Sequence, residues 1–274
     1  MKIDKFYLFL IIILVFVSVV FWPTPKTPLV FDPGFSPSIL TTTLPKKGFM
    51  VNYQKSLPIL MYHYIRDPDL QSDGVGKNLS VSPSALEKHL KIIQSKGFKT
   101  ATLADFANHK VFEPSVILTF DDGYGDFYTN AWPILTKYGA RATVFVITDK
   151  IDRPGYLTSN QIQQLSSENI EIGSHSVSHP NLTNASDANI NKQLEDSKVE
   201  LEGITAKEVV SFCYPSGKYD EKVMQAVKKA GYSTAVTTDF DFASLEKYSI
   251  YALPRFRVKE TTDLKQIFTD YHLK

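Results

Sequence analysis

The segment Ser115–Gly123 limits what this chain can fold into more than any other stretch of the sequence. It reads Ser-Val-Ile-Leu-Thr-Phe-Asp-Asp-Gly, so an apolar, partly β-branched run ends in two adjacent carboxylates and a glycine. Such a run is typical of a strand buried on both faces, as in a parallel sheet. Neighbouring side chains of a strand point to opposite faces, so Asp121 and Asp122 can share one pocket only where the strand ends and the chain turns.

Two interpretations of this aspartate pair are open. It can be an ordinary turn, because Asp-Gly is a common turn dipeptide. It can also be a functional site, because two close carboxylates raise each other's proton affinity unless a cation lies between them. His175 and His179 favour the second interpretation, since they are four residues apart directly after another predicted strand. Two histidines and one carboxylate are a common metal-ligand set with open positions, and the other carboxylate is then free to act as a base. A serine-rich surface loop is the alternative for the histidine segment.

Strands and helices alternate along the chain from about residue 57. The predicted strands are Leu57–Tyr64, Phe98–Thr102, Val116–Phe120, Ala142–Ile147, Ile170–Gly173, Val209–Tyr214, Ser233–Thr237 and Ile250–Val258. This alternation argues for a parallel sheet with helical crossovers. Seven or eight such units are more than an open sheet needs, so we expect an α/β fold with a distorted (β/α) barrel. Its active site would lie at the C-terminal ends of the strands.

The N-terminal region predicts a membrane anchor. Phe6–Trp22 is almost entirely apolar, Lys2 and Lys5 precede it, and a proline- and threonine-rich stretch follows over residues 23–56. The apolar run reaches about 26 Å as a helix, near the lower limit for a span. The lysines favour a cytoplasmic tail at residues 1–5 and an extracytoplasmic domain at residues 57–274, joined by the 23–56 tether. A cleaved signal peptide, giving a secreted protein, is the alternative, although no small-x-small cleavage site follows the run.

Composition excludes several other classes. The formal net charge is +1 over 274 residues, which gives no electrostatic case for a nucleic-acid partner. A single cysteine, Cys213, excludes both an intramolecular disulfide and a thiol cluster that binds metal. We expect a monomer. Among the remaining histidines, His89 lies on a predicted helix between Lys88 and Lys91 and is expected to face solvent.

The motifs Thr-Phe-Asp-Asp-Gly at 119–123 and His-Ser-Val-Ser-His at 175–179 closely resemble the first two motifs of polysaccharide deacetylases. That family is the NodB-homology domain of carbohydrate esterase family 4, and the resemblance covers about residues 57–260. It implies a distorted (β/α)7-type barrel. It also implies that Asp121 is the general base, and that Asp122, His175 and His179 hold Zn²⁺ or another divalent ion such as Co²⁺, Ni²⁺ or Fe²⁺.

The third family motif is altered in this chain. It reads Phe-Cys-Tyr-Pro-Ser-Gly at 212–217, with Cys213 where most of the family has an arginine. This departure resembles the branch that deacetylates poly-N-acetylglucosamine of the biofilm matrix. In that branch a Tyr-His pair at the end of the first strand supplies the catalytic acid, which implies His63. Arg255 is the candidate to replace the missing guanidinium. By the same resemblance, three residues contact the substrate or oxyanion, the last through its backbone N–H: Tyr214, Pro215 and Ser216.

The sequence therefore predicts a membrane-anchored, metal-dependent deacetylase that acts outside the membrane on an N-acetylglucosamine polymer and releases acetate. Peptidoglycan glycan strands are the alternative substrate, and the absent third-motif arginine disfavours them. A catalytically silent carbohydrate-binding module is a further alternative. The intact base and ligand set speak against it.

Overall fold

The computed structural model describes residues 56–68, 76–111 and 114–272. Its strands are β1 (Ser56–Leu57), β2 (Ile59–Tyr62), β3 (Tyr64–Ile65), β4 (Ser80–Val81), β5 (Lys99–Ala101), β6 (Ser115–Phe120), β7 (Ala142–Val146), β8 (Ile170–Ser174), β9 (Ser211–Cys213), β10 (Thr234–Val236), β11 (Ala243–Ser244) and β12 (Phe256–Arg257). Its α-helices are α1 (Pro83–Ser95), α2 (Leu103–Ala107), α3 (Trp132–Lys137), α4 (Ser159–Ser167), α5 (Asp187–Thr205), α6 (Glu221–Lys229) and α7 (Leu264–His272).

The predicted tail at residues 1–5, anchor at 6–22 and nearly all of the tether at 23–56 lie outside these described residues. Within the described part of the chain, none of the helices combines the length and the apolar character needed to cross a bilayer.

One parallel sheet organises the described chain. Its strands follow the order β10-β9-β8-β7-β6-β2-β12, and β5 also pairs with β6. Leu253 makes a parallel bridge to Val236 of β10 just before the chain continues into β12 at the other edge. The two edges are thus drawn toward each other and the sheet curls. The predicted α/β architecture with a parallel sheet is confirmed, and the structure shows that this sheet is curled.

The last predicted strand, Ile250–Val258, is wrong in extent because the chain changes partner within it. Leu253 bonds to β10, whereas Phe256 and Arg257 pair with Leu60 and Met61 of β2. No single ladder can therefore run through the whole segment, and only Phe256–Arg257 forms a strand.

Helix α5 contains Gly203, a residue type at which a sequence pattern usually predicts the end of a helix. The helix continues through Gly203 to Thr205 and ends at Ala206, whose φ of 52° is left-handed. A glycine inside a helix costs about 1 kcal/mol relative to alanine. Leu201 and Thr205 are both buried on either side of it, and that packing outweighs the cost.

His89 does not face solvent as expected. It lies on α1 with 3% of its surface exposed, and its Nδ1 is 3.2 Å from the hydroxyl of Tyr62. Burial lowers the pKa of His89 to about 4. The flanking lysines indicate a polar helix face, but the segment that follows β12 covers the ring, and nothing local in the sequence signals that contact.

We expect His89 to make the protein sensitive to acid. The unfolded chain binds a proton near pH 6.5, whereas the folded protein resists protonation until about pH 4. Stability is therefore lost as pH falls through that window, by up to about 3 kcal/mol. A His89→Gln variant can still accept the Tyr62 hydrogen bond and cannot titrate. Urea midpoints should be measured at pH 7, 6, 5 and 4, and they should fall less with decreasing pH for this variant than for the wild type. An equal fall in both proteins would contradict the prediction.

Candidate active site

Polar side chains converge where the strands of the curled sheet end. His63 follows β2, the aspartate pair follows β6, and His175 follows β8. They line a cleft of about 370 Å³. Its lining residues are His63, Leu79, Asp121, Asp122, His175, His179, Tyr214, Ser216, Gly217, Thr238 and Arg257. The cleft lies at the C-terminal ends of the parallel strands, where ligands bind in (β/α) barrels.

Asp122, His175 and His179 form a group that could hold a metal ion. One ligand atom from each lies within 4.8 Å of the other two. An Asp122 Oδ1 atom is 3.4 Å from Nε2 of His175 and 3.9 Å from Nε2 of His179. Two imidazole nitrogens and one carboxylate oxygen, facing a cleft, are the donor chemistry of a catalytic divalent-ion site. The three residues fit a metal on this ground.

The surroundings fix this group in place. Nδ1 of His175 donates to the Cys213 carbonyl at 2.7 Å, which leaves Nε2 to face Asp122. The Ser176 hydroxyl accepts from the backbone N–H of His179 at 3.0 Å. Asp122, Ser176 and His179 all have left-handed backbone φ values, of 74°, 66° and 60°. Such strain in non-glycine residues persists where the surrounding structure holds it, and it concentrates at functional sites.

The electrostatics of the group favour a cation. Burial alone would lower the pKa of His175, but the neighbouring Cys213 and Asp122 raise it well above the ordinary value. Burial, followed by the charge of His175, lowers the pKa of His179. Without a metal ion, protonated His175 is therefore the positive partner of the Asp122 carboxylate. Binding of a metal ion at such a site displaces protons from its ligands.

Asp121 belongs to a different set of contacts. Its two oxygens accept from Arg255 Nη1 at 2.7 Å and Nη2 at 2.8 Å. Burial would raise the pKa of Asp121, but Arg255 holds it well below its usual range, so the carboxylate stays ionised. Asp121, His175 and Cys213 also have ligand atoms close together. A cation there would face the guanidinium that donates to Cys213 Sγ at 3.2 Å, so this second group is a poor metal site.

Arg255 lies behind Asp121 and not in the cleft wall. It is fully buried, and it also donates to the Thr119 hydroxyl at 2.9 Å and the Thr237 carbonyl at 2.8 Å. The structure thus puts a guanidinium against the predicted base, as expected for a replacement of the motif arginine. The sequence groups Arg255 with the residues predicted to contact the substrate, but in the structure Arg255 does not line the cleft.

His63 lies next to Asp121 in the cleft. Its Nε2 atom is 4.0 Å from Asp121 Oδ2, and 13% of its side chain is exposed, toward the cleft. Burial lowers the pKa of His63 below its ordinary value, and the charge of Asp121 opposes that effect.

The altered third motif forms one rim of the cleft. Tyr214 and Ser216 line it, whereas Pro215 is buried. Ser216 has a left-handed φ of 56°. Among the described residues its backbone N–H has no hydrogen-bond acceptor, so it can serve a ligand. Gly217 has a φ of 68°, and a Cβ there would lie 2.0 Å from the Thr238 hydroxyl, so only glycine permits this turn.

Tyr124 is a site residue that the sequence interpretation missed. Burial, followed by the charge of Asp122, raises the pKa of its hydroxyl far above the ordinary value, so the hydroxyl keeps its proton beside this carboxylate. Its ring stacks on Tyr64 with centroids 3.8 Å apart. Its position directly after Gly123 was the only available signal. Thr238 and Arg257 were missed as well, because each comes from a segment without a motif of its own.

Comparisons with known proteins agree with this geometry. The family model described as Polysaccharide deacetylase matches residues 108–235. The protein YxkH of Bacillus subtilis (strain 168), whose name assigns it to the polysaccharide deacetylases, is 34% identical over 207 residues, covering 74% of this chain and 71% of YxkH. The poly-beta-1,6-N-acetyl-D-glucosamine N-deacetylase of Staphylococcus aureus (strain MRSA252) is 26% identical over 233 residues, covering 76% of this chain and 80% of that protein.

A solved structure adds the fold. The Streptococcus pyogenes deacetylase PplD, in complex with acetate, superposes with a TM-score of 0.72 at 29% identity, covering 78% of this chain and 97% of PplD. The motifs, the curled parallel sheet and the relatives at this coverage show that the chain belongs to the polysaccharide deacetylase family and is a deacetylase hydrolase.

Proposed function

We propose that this enzyme hydrolyses the acetamide group of an N-acetylglucosamine polymer in a metal-dependent reaction that releases acetate. The observation that carries this proposal is the grouping of Asp122, His175 and His179 beside an ionised Asp121, with His63 next to Asp121 in the same cleft. One cleft thereby offers a divalent-ion site, a base and an acid.

Each residue has a defined part in the proposed reaction. Asp122, His175 and His179 would hold the ion, which when bound polarises a carbonyl and makes water more acidic. Asp121 accepts the proton of the attacking water, and Arg255 keeps it ionised and oriented for that task. The Ser216 N–H donates to the oxyanion that forms from the acetamide oxygen. His63 donates a proton to the nitrogen as the C–N bond breaks, which yields a glucosamine unit and acetate.

Poly-N-acetylglucosamine is the substrate we favour, and peptidoglycan is the alternative. The name of the Staphylococcus aureus relative gives poly-beta-1,6-N-acetyl-D-glucosamine as its substrate. The absence of an arginine at Cys213 supports the same choice. Acetate release should be measured from both purified polymers, with chelator and after adding back Zn²⁺, Co²⁺, Ni²⁺ or Fe²⁺. Release from peptidoglycan alone would support the alternative, and release from neither polymer would support a silent binding module.

We also propose that residues 6–22 keep the catalytic domain on the outer side of a membrane. The apolar run and its preceding lysines support this location. Full-length protein should stay with membranes after high-salt washing and need detergent for release. A mature N-terminus in the 20s or 30s would show cleavage and secretion instead.

His63 can be tested separately from the metal. A His63→Ala variant should keep its fold and bound ion but lose on the order of 10²-fold or more in kcat, the usual contribution of a general acid. Wild-type kcat should fall as pH rises and His63 loses its proton, and the variant should lack that alkaline limb. Equal kcat values for the two proteins on the same polymer would refute the assigned role.

A further inference from the structure

Arg257 is a cleft residue to which the proposed reaction gives no part. It is the last residue of β12 and lies two residues after Arg255. Arg255 is fully buried beneath Asp121, whereas Arg257 is exposed and lines the mouth of the cleft. The Leu-Pro-Arg-Phe-Arg segment thus puts one guanidinium beneath the base and a second beside the substrate.

The charge of Arg257 is available to a ligand. Among the described residues, no carboxylate lies within ion-pair distance of it and no hydrogen bond involves its side chain. The negative groups of the cleft already have partners, since Asp121 is held by Arg255 and Asp122 faces the two histidines. A cation brought to this part of the mouth would therefore meet an uncompensated positive charge.

The position of Arg257 places that charge on the side of the departing nitrogen. Arg257 is in register with Met61 of β2, and His63 follows two residues later on the same face. Both side chains line the cleft. His63 is the proposed donor to the nitrogen, so in the proposed reaction a sugar unit next to the reacting one would lie close to the guanidinium.

We propose that Arg257 makes the enzyme discriminate against glucosamine units flanking the acetylated unit that it attacks. This inference rests on the proposed function. The amine of a deacetylated unit is less basic than an alkylamine because oxygen substituents flank it, and it is an ammonium group in mildly acidic solution. Like charges facing each other across a binding site disfavour the complex. The reaction product is such a unit, so deacetylation would be spaced along the polymer.

The test uses two oligosaccharides that each hold one N-acetylglucosamine unit, in the linkage that releases acetate from polymer. Glucose flanks the unit in the first and glucosamine in the second, so the two differ only in a neutral hydroxyl or a charged amine. Two charges separated by several ångströms in a wet cleft interact enough for about a fivefold to tenfold effect. Wild-type kcat/KM at pH 6, where the flanking amine is charged, should be lower by about that factor for the glucosamine-flanked compound, and added NaCl should reduce the difference.

Three variants separate charge from shape. Arg257→Gln should bring the ratio of the two kcat/KM values to within about twofold, because the Coulomb repulsion is gone. Arg257→Lys should keep the discrimination, because it keeps the charge. Lys259→Gln removes an equal charge from an exposed residue outside the cleft lining and should behave as the wild type does.

Several outcomes would overturn the inference. One is a wild-type enzyme that treats both compounds alike, and another is an Arg257→Gln variant that keeps the wild-type ratio. Loss of all activity in both Arg257 variants would also overturn it, by making the side chain part of the reaction itself. Failure of the proposed function looks different, because the wild type would then release no acetate even from the glucose-flanked compound.

Discussion

A His179→Ala enzyme will lose most of its bound divalent ion and nearly all of its deacetylase activity. The substitution leaves Asp122 and His175 as the only protein ligands in a group whose atoms otherwise lie within 4.8 Å of one another. His179 is partly exposed, with 32% of its side chain accessible, so its removal should disturb the fold little. Metal content of the dialysed protein and acetate release give the two readouts. Wild-type metal content in the variant would remove His179 from the ligand set.

Asp121→Asn is the matched comparison for this prediction. It should keep the ion while losing about 10²–10⁴-fold in rate, the usual contribution of a general base. The structure gives the reason, because both oxygens of Asp121 are held by Arg255, whereas Asp122 faces the histidines. If Asp121→Asn lost the metal and Asp122→Asn kept it, the roles of the two neighbours would have to be exchanged.

The candidate site was largely predictable because its residues come from local motifs at strand ends. The curled parallel sheet brings the ends of β2, β6 and β8 together, so His63, the aspartate pair and the histidine pair meet without further information. The assigned roles stay predictions until variants are measured. The structure adds the contacts between these residues. Asp121 pairs with Arg255, whereas Asp122 faces His175 and His179.

Contacts between distant segments could not be predicted from the sequence. His89 reads as a surface residue because its neighbours in sequence are lysines, yet Tyr62 and the segment after β12 enclose it. Nothing in the Leu-Pro-Arg-Phe-Arg segment predicts that Arg255 is buried and Arg257 is exposed. Their different burial depends on how far each side chain lies inside the curled sheet. The alternation of residues along a strand predicts which face a side chain is on, but not how deeply it is buried.

Arg255→Met will cost both stability and activity, because it leaves Asp121 buried without its cation. Removing one member of a buried ion pair typically destabilises a protein by about 3–5 kcal/mol. Asp121 is 4% exposed and Arg255 is fully buried, so solvent can replace neither partner. Urea midpoints should fall for Arg255→Met and for Asp121→Asn. The double variant should be more stable than the sum of the two losses predicts, since it leaves no unpaired charge.

The pH dependence of Arg255→Met gives a second readout. In the wild type Arg255 holds the pKa of Asp121 well below its usual range, so the base is ionised at all working pH values. Without the guanidinium, burial is the dominant influence and raises that pKa. Protonated Asp121 cannot accept a proton, so kcat of the variant should increase as pH rises across a range where the wild type shows no such dependence. An Arg255→Met enzyme with a wild-type pH profile and additive stability losses would show that the pair does not act as a unit.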